Sequence, residues 1–280
     1  MCRWLAYTGS PVLVEDLLYG PEHSLIVQSM SSTMGAEPTN GDGFGLGWYG
    51  DRPTPGVFRS TEPAWNDRNL REVSAVATSR RVFAHIRAST GSPVQQTNCH
   101  PFRHGGWLWM HNGYVNGFAT IKRDLALAVD PARFAQIEGT TDTEMLFFLA
   151  LTFGLESDPP AAVARTVGLV EETAQRHGVP FPVQMTVATT DGTTTWAFRY
   201  SSEGRSRSLF HSTDVATLRQ QYPDNPALHE LSDEARLVVS EPLGDLRGAW
   251  REVPESTCVT VHGGSEELRA FEPLMARTAG

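Results

Sequence analysis

Ten short runs of strand character punctuate this chain from end to end, and only its middle carries sustained helical periodicity. Alternating or continuous apolar residues bounded by Gly, Pro, Asn and Ser place strands around 3–8, 44–49, 56–59, 81–87, 106–112, 182–189, 193–199, 207–211, 236–240 and 257–262. Between them, Thr141-Asp142-Thr143-Glu144 reads as a capping box, with Thr141 as N-cap and Glu144 three residues on, opening a helix over 141–153. Met145 through Leu149 is continuously apolar, so this helix is expected to be buried on most sides. A second helix should run from Pro160 to about His177, with Val163, Val167, Val170 and Ala174 as its apolar stripe and Gly178 as its stop. A third is expected near 11–19. Strands that outnumber helices, with the clearest helices paired in mid-chain, argue for an α+β protein whose stacked sheets are covered by helices.

The 280 residues are 40% hydrophobic and 20% charged, enough for a large core, and we expect a single domain over 1–280. The polar stretch 201–233, with SSEGRSRS and QQYPDNPALHELSDE, reads as a loop or insertion. A net charge of −9 without a long basic run offers no footprint for nucleic acid and is repelled by anionic membranes. No stretch approaches the roughly 18 uninterrupted apolar residues of a spanning helix. Gly9, Ser10, Pro11 and Glu15 break any signal-peptide core at the start. Small molecules or other proteins are the expected partners. Cys2, Cys99 and Cys258 are odd in number and widely spread, which fits a reducing compartment better than a disulfide framework, so a cytoplasmic protein is expected.

Cys2 follows the initiator Met1, and removal of Met1 would expose a thiol of pKa about 8.5 beside an α-amine of pKa about 7.7–8.0. One residue would then carry both nucleophile and base. Along 81–87, Phe83, His85 and Arg87 share one face, so Arg87 ends a strand where its planar fork can meet a carboxylate. Trp107 to Gly113 reads as a strand running into a turn, where the Asn112 amide and the Gly113 N–H would form a pair of donors suited to an oxyanion. Asp142, in the first turn of its helix, complements the helix dipole and is equally able to bind an ammonium group. The glycine-rich run 40–48 lacks either phosphate-loop spacing and points instead to close packing of backbone. His85, Cys99, His100, His104 and His111 lie close in sequence but lack zinc-site spacing. Alternation of faces should scatter them, so neither a metal nor a cofactor is expected.

Taken together, MCR at the start, NGDGFGLGWY at 40–49, FAHIRAST at 83–90, NCHPF at 98–102, HNG at 111–113 and TDTE at 141–144 give the chain a pattern that resembles the class II glutamine amidotransferases. Their glutaminase domain is an N-terminal-nucleophile hydrolase, and the resemblance implies a four-layer α/β/β/α sandwich. It also implies that Cys2 is the nucleophile, that Asn112 and Gly113 form the oxyanion hole, and that Arg87 and Asp142 hold the α-carboxylate and α-ammonium of a glutamine or γ-glutamyl substrate. The turn after Arg87 departs from the family in carrying Ala88 and then Thr90-Gly91, so no role passes to Ser89 or Thr90. The chain is most similar to stand-alone members, such as the γ-glutamyl amide hydrolase of ergothioneine synthesis. Ammonia passed to a separate protein, or an amine released by hydrolysis, would be the product. Two alternatives are a non-catalytic scaffold of the same fold and an N-terminal-cysteine amidase for another acyl group.

Overall fold

The computed structural model describes residues 2–31, 39–89 and 91–275. Met1 and Thr90, both named above, lie outside the described residues. Among the described residues the strands are β1 (Arg3–Leu13), β2 (Phe44–Trp48), β3 (Gly56–Ser60), β4 (Thr78–Ile86), β5 (Phe102–His104), β6 (Trp107–Val115), β7 (Val183–Thr190), β8 (Thr195–Ser201), β9 (Phe210–Ser212), β10 (Arg236–Val239), β11 (Trp250–Glu252), β12 (Thr257–His262) and β13 (Ser265–Ala270). They form one sheet in the order β11-β9-β10-β1-β4-β2-β3 and another in the order β13-β12-β8-β7-β6-β5. Every pairing is antiparallel.

Period-two alternation assigns each strand's side chains to one of two cores. Trp4 and Ala6 of β1, Phe83 of β4 and Val238 of β10 face Leu108 and Met110 of β6, Ala188 of β7 and Val259 of β12, which makes an apolar layer between the sheets. Leu5, Tyr7, Val82, Ala84 and Ile86 point the other way, onto helices Val14–Leu18, Leu25–Met30 and Arg68–Val76. The outer face of the second sheet packs Trp109, Val187 and Phe198 against helices Phe118–Ala128, Asp142–Thr152 and Pro159–Arg176. The result is the four-layer α/β/β/α sandwich.

Helix Asp142–Thr152 is sealed on all sides, with Thr143 through Leu151 buried. It lies between β6 and the helices Phe118–Ala128 and Pro159–Arg176. Each of Leu146, Phe147 and Phe148 contributes about 1.5–3 kcal/mol by leaving water, and Trp109 stacks on Phe147 with ring centroids 5.7 Å apart. Helix Pro159–Arg176 buries the expected stripe of Val163, Val167, Val170 and Ala174. Asp158 caps it by accepting from the Ala161 N–H, and Gly178 follows at φ +69°.

Several local expectations are corrected. The β1 strand does not stop at 8: its pairing with β4 shifts between Thr8 and Val12, so the Gly-Ser-Pro step is absorbed as an irregularity. The helix expected over 11–19 therefore starts only at Val14. Strands β5, β11 and β13 and helices Leu25–Met30, Arg68–Val76 and Phe118–Ala128 were not foreseen. The polar stretch 201–233 carries β9 and helices Val215–Gln221 and Pro226–Glu230, and Leu218 and Leu228 pack with Ala249. Only half of the capping box forms. Thr141 Oγ1 accepts from the Glu144 N–H at 3.2 Å, but the Glu144 carboxylate turns to the N–H groups of Glu138 and Gly139, at 3.0 and 2.7 Å, because those donors converge on it in a buried site. Among the described residues no helix is long and apolar enough to cross a membrane.

The glycine-rich run has a steric purpose. A Cβ on Gly45 of β2 would lie 2.0 Å from the His100 carbonyl oxygen, and one on Gly47 would lie 2.8 Å from a Leu108 methyl of β6. Removing side chains here lets β2 approach both the 98–102 segment and the second sheet. Gly45→Ala should therefore lower stability by about 3 kcal/mol. Gly50→Ala, whose Cβ meets nothing within 4 Å, should be near neutral, and urea midpoints measured side by side check the contrast.

Candidate active site

The register of β1 against β4 builds the first half of the site. Arg3 pairs with Ile86, so Cys2, one step before the strand, stands opposite Arg87, one step after its partner. Cys2 shares the inter-sheet parity of Trp4, and Arg87 that of Phe83. The half-buried Cys2 thiol donates to the Ala88 carbonyl at 3.4 Å and accepts from the Ala88 N–H at 3.3 Å. Burial pushes the Cys2 thiol above its ordinary value; the Ala88 N–H and the guanidinium charges of Arg87 and Arg3 pull the other way without reversing it. A thiol in this state needs a base to become a nucleophile.

Arg87 is 3% exposed. Its Nη2 donates to Ser92 Oγ at 2.7 Å, Ser89 Oγ at 3.1 Å and the Pro93 carbonyl at 3.1 Å, and its Nη1 reaches the Asp42 carbonyl at 3.3 Å. These acceptors are all uncharged, and among the described residues Arg87 forms no ion pair. A buried guanidinium with neutral acceptors keeps the capacity to pair with an anion.

Asn112 enters from β6, on the parity of Leu108 and Met110, and its Nδ2 donates to the Cys2 carbonyl at 2.9 Å. The expected turn at Asn112-Gly113 is instead strand interior: β6 continues to Val115, with Asn112 opposite Thr186 and Gly113 opposite Met185. Gly113 keeps the positive φ, +142°, and a Cβ there would lie 1.9 Å from the Gln184 carbonyl oxygen. Pairing with β7 therefore requires glycine. Asp142 is tied two residues further on, its Oδ2 accepting from the Val115 N–H at 2.7 Å and its Oδ1 from the Thr143 N–H at 2.8 Å. Direct contacts thus join Cys2, the Arg87-Ala88 step and Asn112, while Asp142 reaches this group through the end of β6. Thr143 Oγ1 also donates to Asp142 Oδ1 at 3.4 Å, so the carboxylate has three of about four acceptor sites in use.

Residues with no clear signal in the sequence complete the site. Asp42, at the head of the glycine-rich run, accepts the Ser89 N–H at 2.7 Å and so fixes the turn after Arg87. An Asp flanked by two glycines is the sort of signal that could have marked it. Arg3 Nη1 also donates to the Cys2 carbonyl, at 3.0 Å. Three histidines expected to scatter are gathered behind the site. The His85 and His100 rings lie 4.1 Å apart, His85 Nε2 meets the His111 carbonyl at 3.3 Å, and His111 Nδ1 meets Thr143 Oγ1 at 2.9 Å. The two sheets are close enough here for side chains from both, and from the loop between them, to touch. Among the described residues no three potential metal ligands form a site.

Facing sheets wrapped by helices, with a cysteine leading a central strand into the crevice between them, define the N-terminal-nucleophile hydrolase architecture. Within it, the profile of the family described as glutamine amidotransferases class-II matches residues 22–278, and the chain belongs to that family. It is 32% identical to a Saccharomyces cerevisiae protein named probable glutamine amidotransferase DUG3, over 100% of this chain and 88% of the yeast protein. It is 29% identical to the gamma-glutamyl-hercynylcysteine sulfoxide hydrolase of Mycolicibacterium smegmatis, over 83% of this chain and 93% of that protein. A solved glutamine aminotransferase class-II domain protein from Silicibacter pomeroyi superposes with a TM-score of 0.74 at 31% identity, covering 98% of this chain and 100% of its own.

The buried histidines make stability depend on pH. Burial lowers all three, His85 to about 3 from an ordinary 6.5. The unfolded chain therefore takes up protons that the folded one refuses, and stability falls as pH drops below about 6.5, a loss that for His85 continues toward about 3. Each such histidine steepens the fall by up to about 1.4 kcal/mol per pH unit. His85→Gln should lower the urea midpoint at pH 7 yet show a shallower decline from pH 7 to 5; an unchanged slope would contradict this account.

Proposed function

We propose that the protein hydrolyses the side-chain amide of glutamine or of a γ-glutamyl amide, with Cys2 as nucleophile after removal of Met1. The carrying observation is the juxtaposition of the Cys2 thiol, held on the Ala88 backbone, with a buried Arg87 whose partners among the described residues are uncharged, and with the Asn112 amide on the Cys2 carbonyl. The α-carboxylate of the substrate takes the Arg87 fork, and its α-ammonium takes the remaining acceptor capacity of Asp142. Opposite charges at the two ends of an amino-acid head group leave the side-chain amide as the part that reaches the thiol. An apolar acyl group would leave both charges unanswered.

In the reaction, the α-amine of Cys2 accepts the thiol proton, and sulfur adds to the amide carbon. The carbonyl oxygen becomes an oxyanion, to which the second N–H of the Asn112 amide and the Gly113 N–H would donate. Collapse breaks the C–N bond, and the departing ammonia or amine takes the proton held by the α-amine. Water then adds to the γ-glutamyl thioester and releases glutamate with the free thiol. The names of the yeast and mycobacterial relatives support both products, ammonia and a larger amine. An ammonia acceptor would be a separate protein, and residues 1–280 would act as one domain.

Intact mass before and after incubation with a diazo-ketone analogue of glutamine tests the reading. The expected result is a chain lacking Met1 that gains one adduct, located on Cys2; a chain without adduct would overturn it. Cys2→Ala should remove hydrolysis of γ-glutamyl amides while leaving the melting temperature near that of the wild type. Asn112→Ala should lower kcat by about 10²–10³ through loss of one oxyanion donor.

A further inference from the structure

Behind the nucleophile lies a buried ion pair that the reaction above does not use. Arg3 Nε and Glu241 Oε2 are 2.6 Å apart, with side chains 3% and 5% exposed. Arg3 belongs to the opposite face of β1 from Cys2, the face packed on helices, yet its Nη1 bends back to the Cys2 carbonyl at 3.0 Å. Asn112 Nδ2 donates to the same oxygen from the other sheet. Glu241 is itself anchored. Ser240, its neighbour, pairs with Trp4 through Ser240 N to Trp4 O at 3.1 Å and Trp4 N to Ser240 Oγ at 2.9 Å. Gln28 Nε2, from helix Leu25–Met30, donates to the Pro242 carbonyl at 3.1 Å and the His23 carbonyl at 2.9 Å.

We infer that Arg3, locked by Glu241, is a positioning residue that holds the main chain of Cys2 so that its thiol is aimed at the substrate carbonyl. The inference rests on the nucleophile reading above. A residue at the very start of a chain frays unless it is tied down. Once Met1 is gone, the amine of Cys2 must stay free to act as base and the thiol free to react, so the carbonyl is the group left to anchor. Asn112 supplies one bond to it but must also answer the oxyanion. The second bond comes from a guanidinium whose own place is set by a carboxylate in a different segment. Such a support matters because misplacement of a reacting group by about 1 Å can cost on the order of 10²-fold in rate. Pairing through Glu241 also couples the nucleophile to the 240–242 segment and to helix Leu25–Met30.

The test compares Arg3→Met/Glu241→Leu with the wild type, because removing both partners leaves neither member of this pair buried without the other. Three quantities are measured on protein shown by intact mass to lack Met1: the melting temperature, kcat and KM for a chromogenic γ-glutamyl anilide, and the rate at which the diazo-ketone analogue modifies Cys2. A positioning role predicts a folded variant with KM within about twofold of wild type, and with kcat and the modification rate both reduced at least tenfold. A folded variant that is modified at the wild-type rate overturns the inference, leaving the pair as structure only. If the double variant does not fold, Glu241→Gln, which keeps shape and an acceptor for Arg3, reads the same rates: a fall in kcat without a rise in KM supports the inference, and unchanged kcat overturns it. A wild-type protein that takes no adduct overturns the nucleophile reading instead, which separates the two failures.

Discussion

The antiparallel register of β1 against β4 is the constraint on which the site depends. Setting Arg3 opposite Ile86 puts Cys2 beside Arg87, and a slip of one residue between the strands would turn one of the two onto the helix-covered face. That register is enforced from both sides. Leu5, Tyr7, Val82 and Ala84 lock into the helical layer, while Trp4, Ala6 and Phe83 lock into the layer between the sheets. Burying these residues stabilises the fold, and the same burial places a thiol and a guanidinium together at the strand ends.

The polar cluster at those ends carries the opposite energetics. Arg87, the Arg3–Glu241 pair and three histidines sit within or just behind a closely packed interior. Removing such charges from water costs several kcal/mol per ion after relaxation, and hydrogen bonds recover only part of it. The histidines avoid the cost by remaining neutral, with burial holding each below its ordinary value. Arg87 is satisfied by four uncharged oxygens. Around this cluster, glycines do what side chains cannot. Gly45, Gly47 and Gly113 admit main chain and side chains from neighbouring segments at distances that no Cβ would permit.

Sequence alone read ten of the strands and the two long central helices to within a few residues, since each was announced by its own periodicity. The strands it missed, β5, β11 and β13, are short or exposed and borrow their stability from neighbours. Helix Arg68–Val76 was missed because a polar surface helix has little apolar signal, with Leu70 and Ser74 as its buried positions. The histidines show the same limit from another direction. Alternation along a strand says which face a side chain takes, but not that His85 of one sheet and His100 of a loop will meet ring to ring.

Residue types and their order within local segments determined the chemistry on offer: a cysteine at position 2, an arginine ending one strand, an Asn-Gly pair on another and an aspartate opening a helix. Apolar alternation in many strands and the stripes of a few helices also pointed to stacked sheets covered by helices, while the four-layer order followed from the resemblance to class II glutamine amidotransferases. Only the tertiary structure decided which of these groups share a crevice and what holds them there. The Arg3–Glu241 pair spans 238 positions, and Asn112 meets the Cys2 carbonyl across 110. Contacts at such separations depend on sheet register and on how closely two layers can approach, and these are properties of the packed whole.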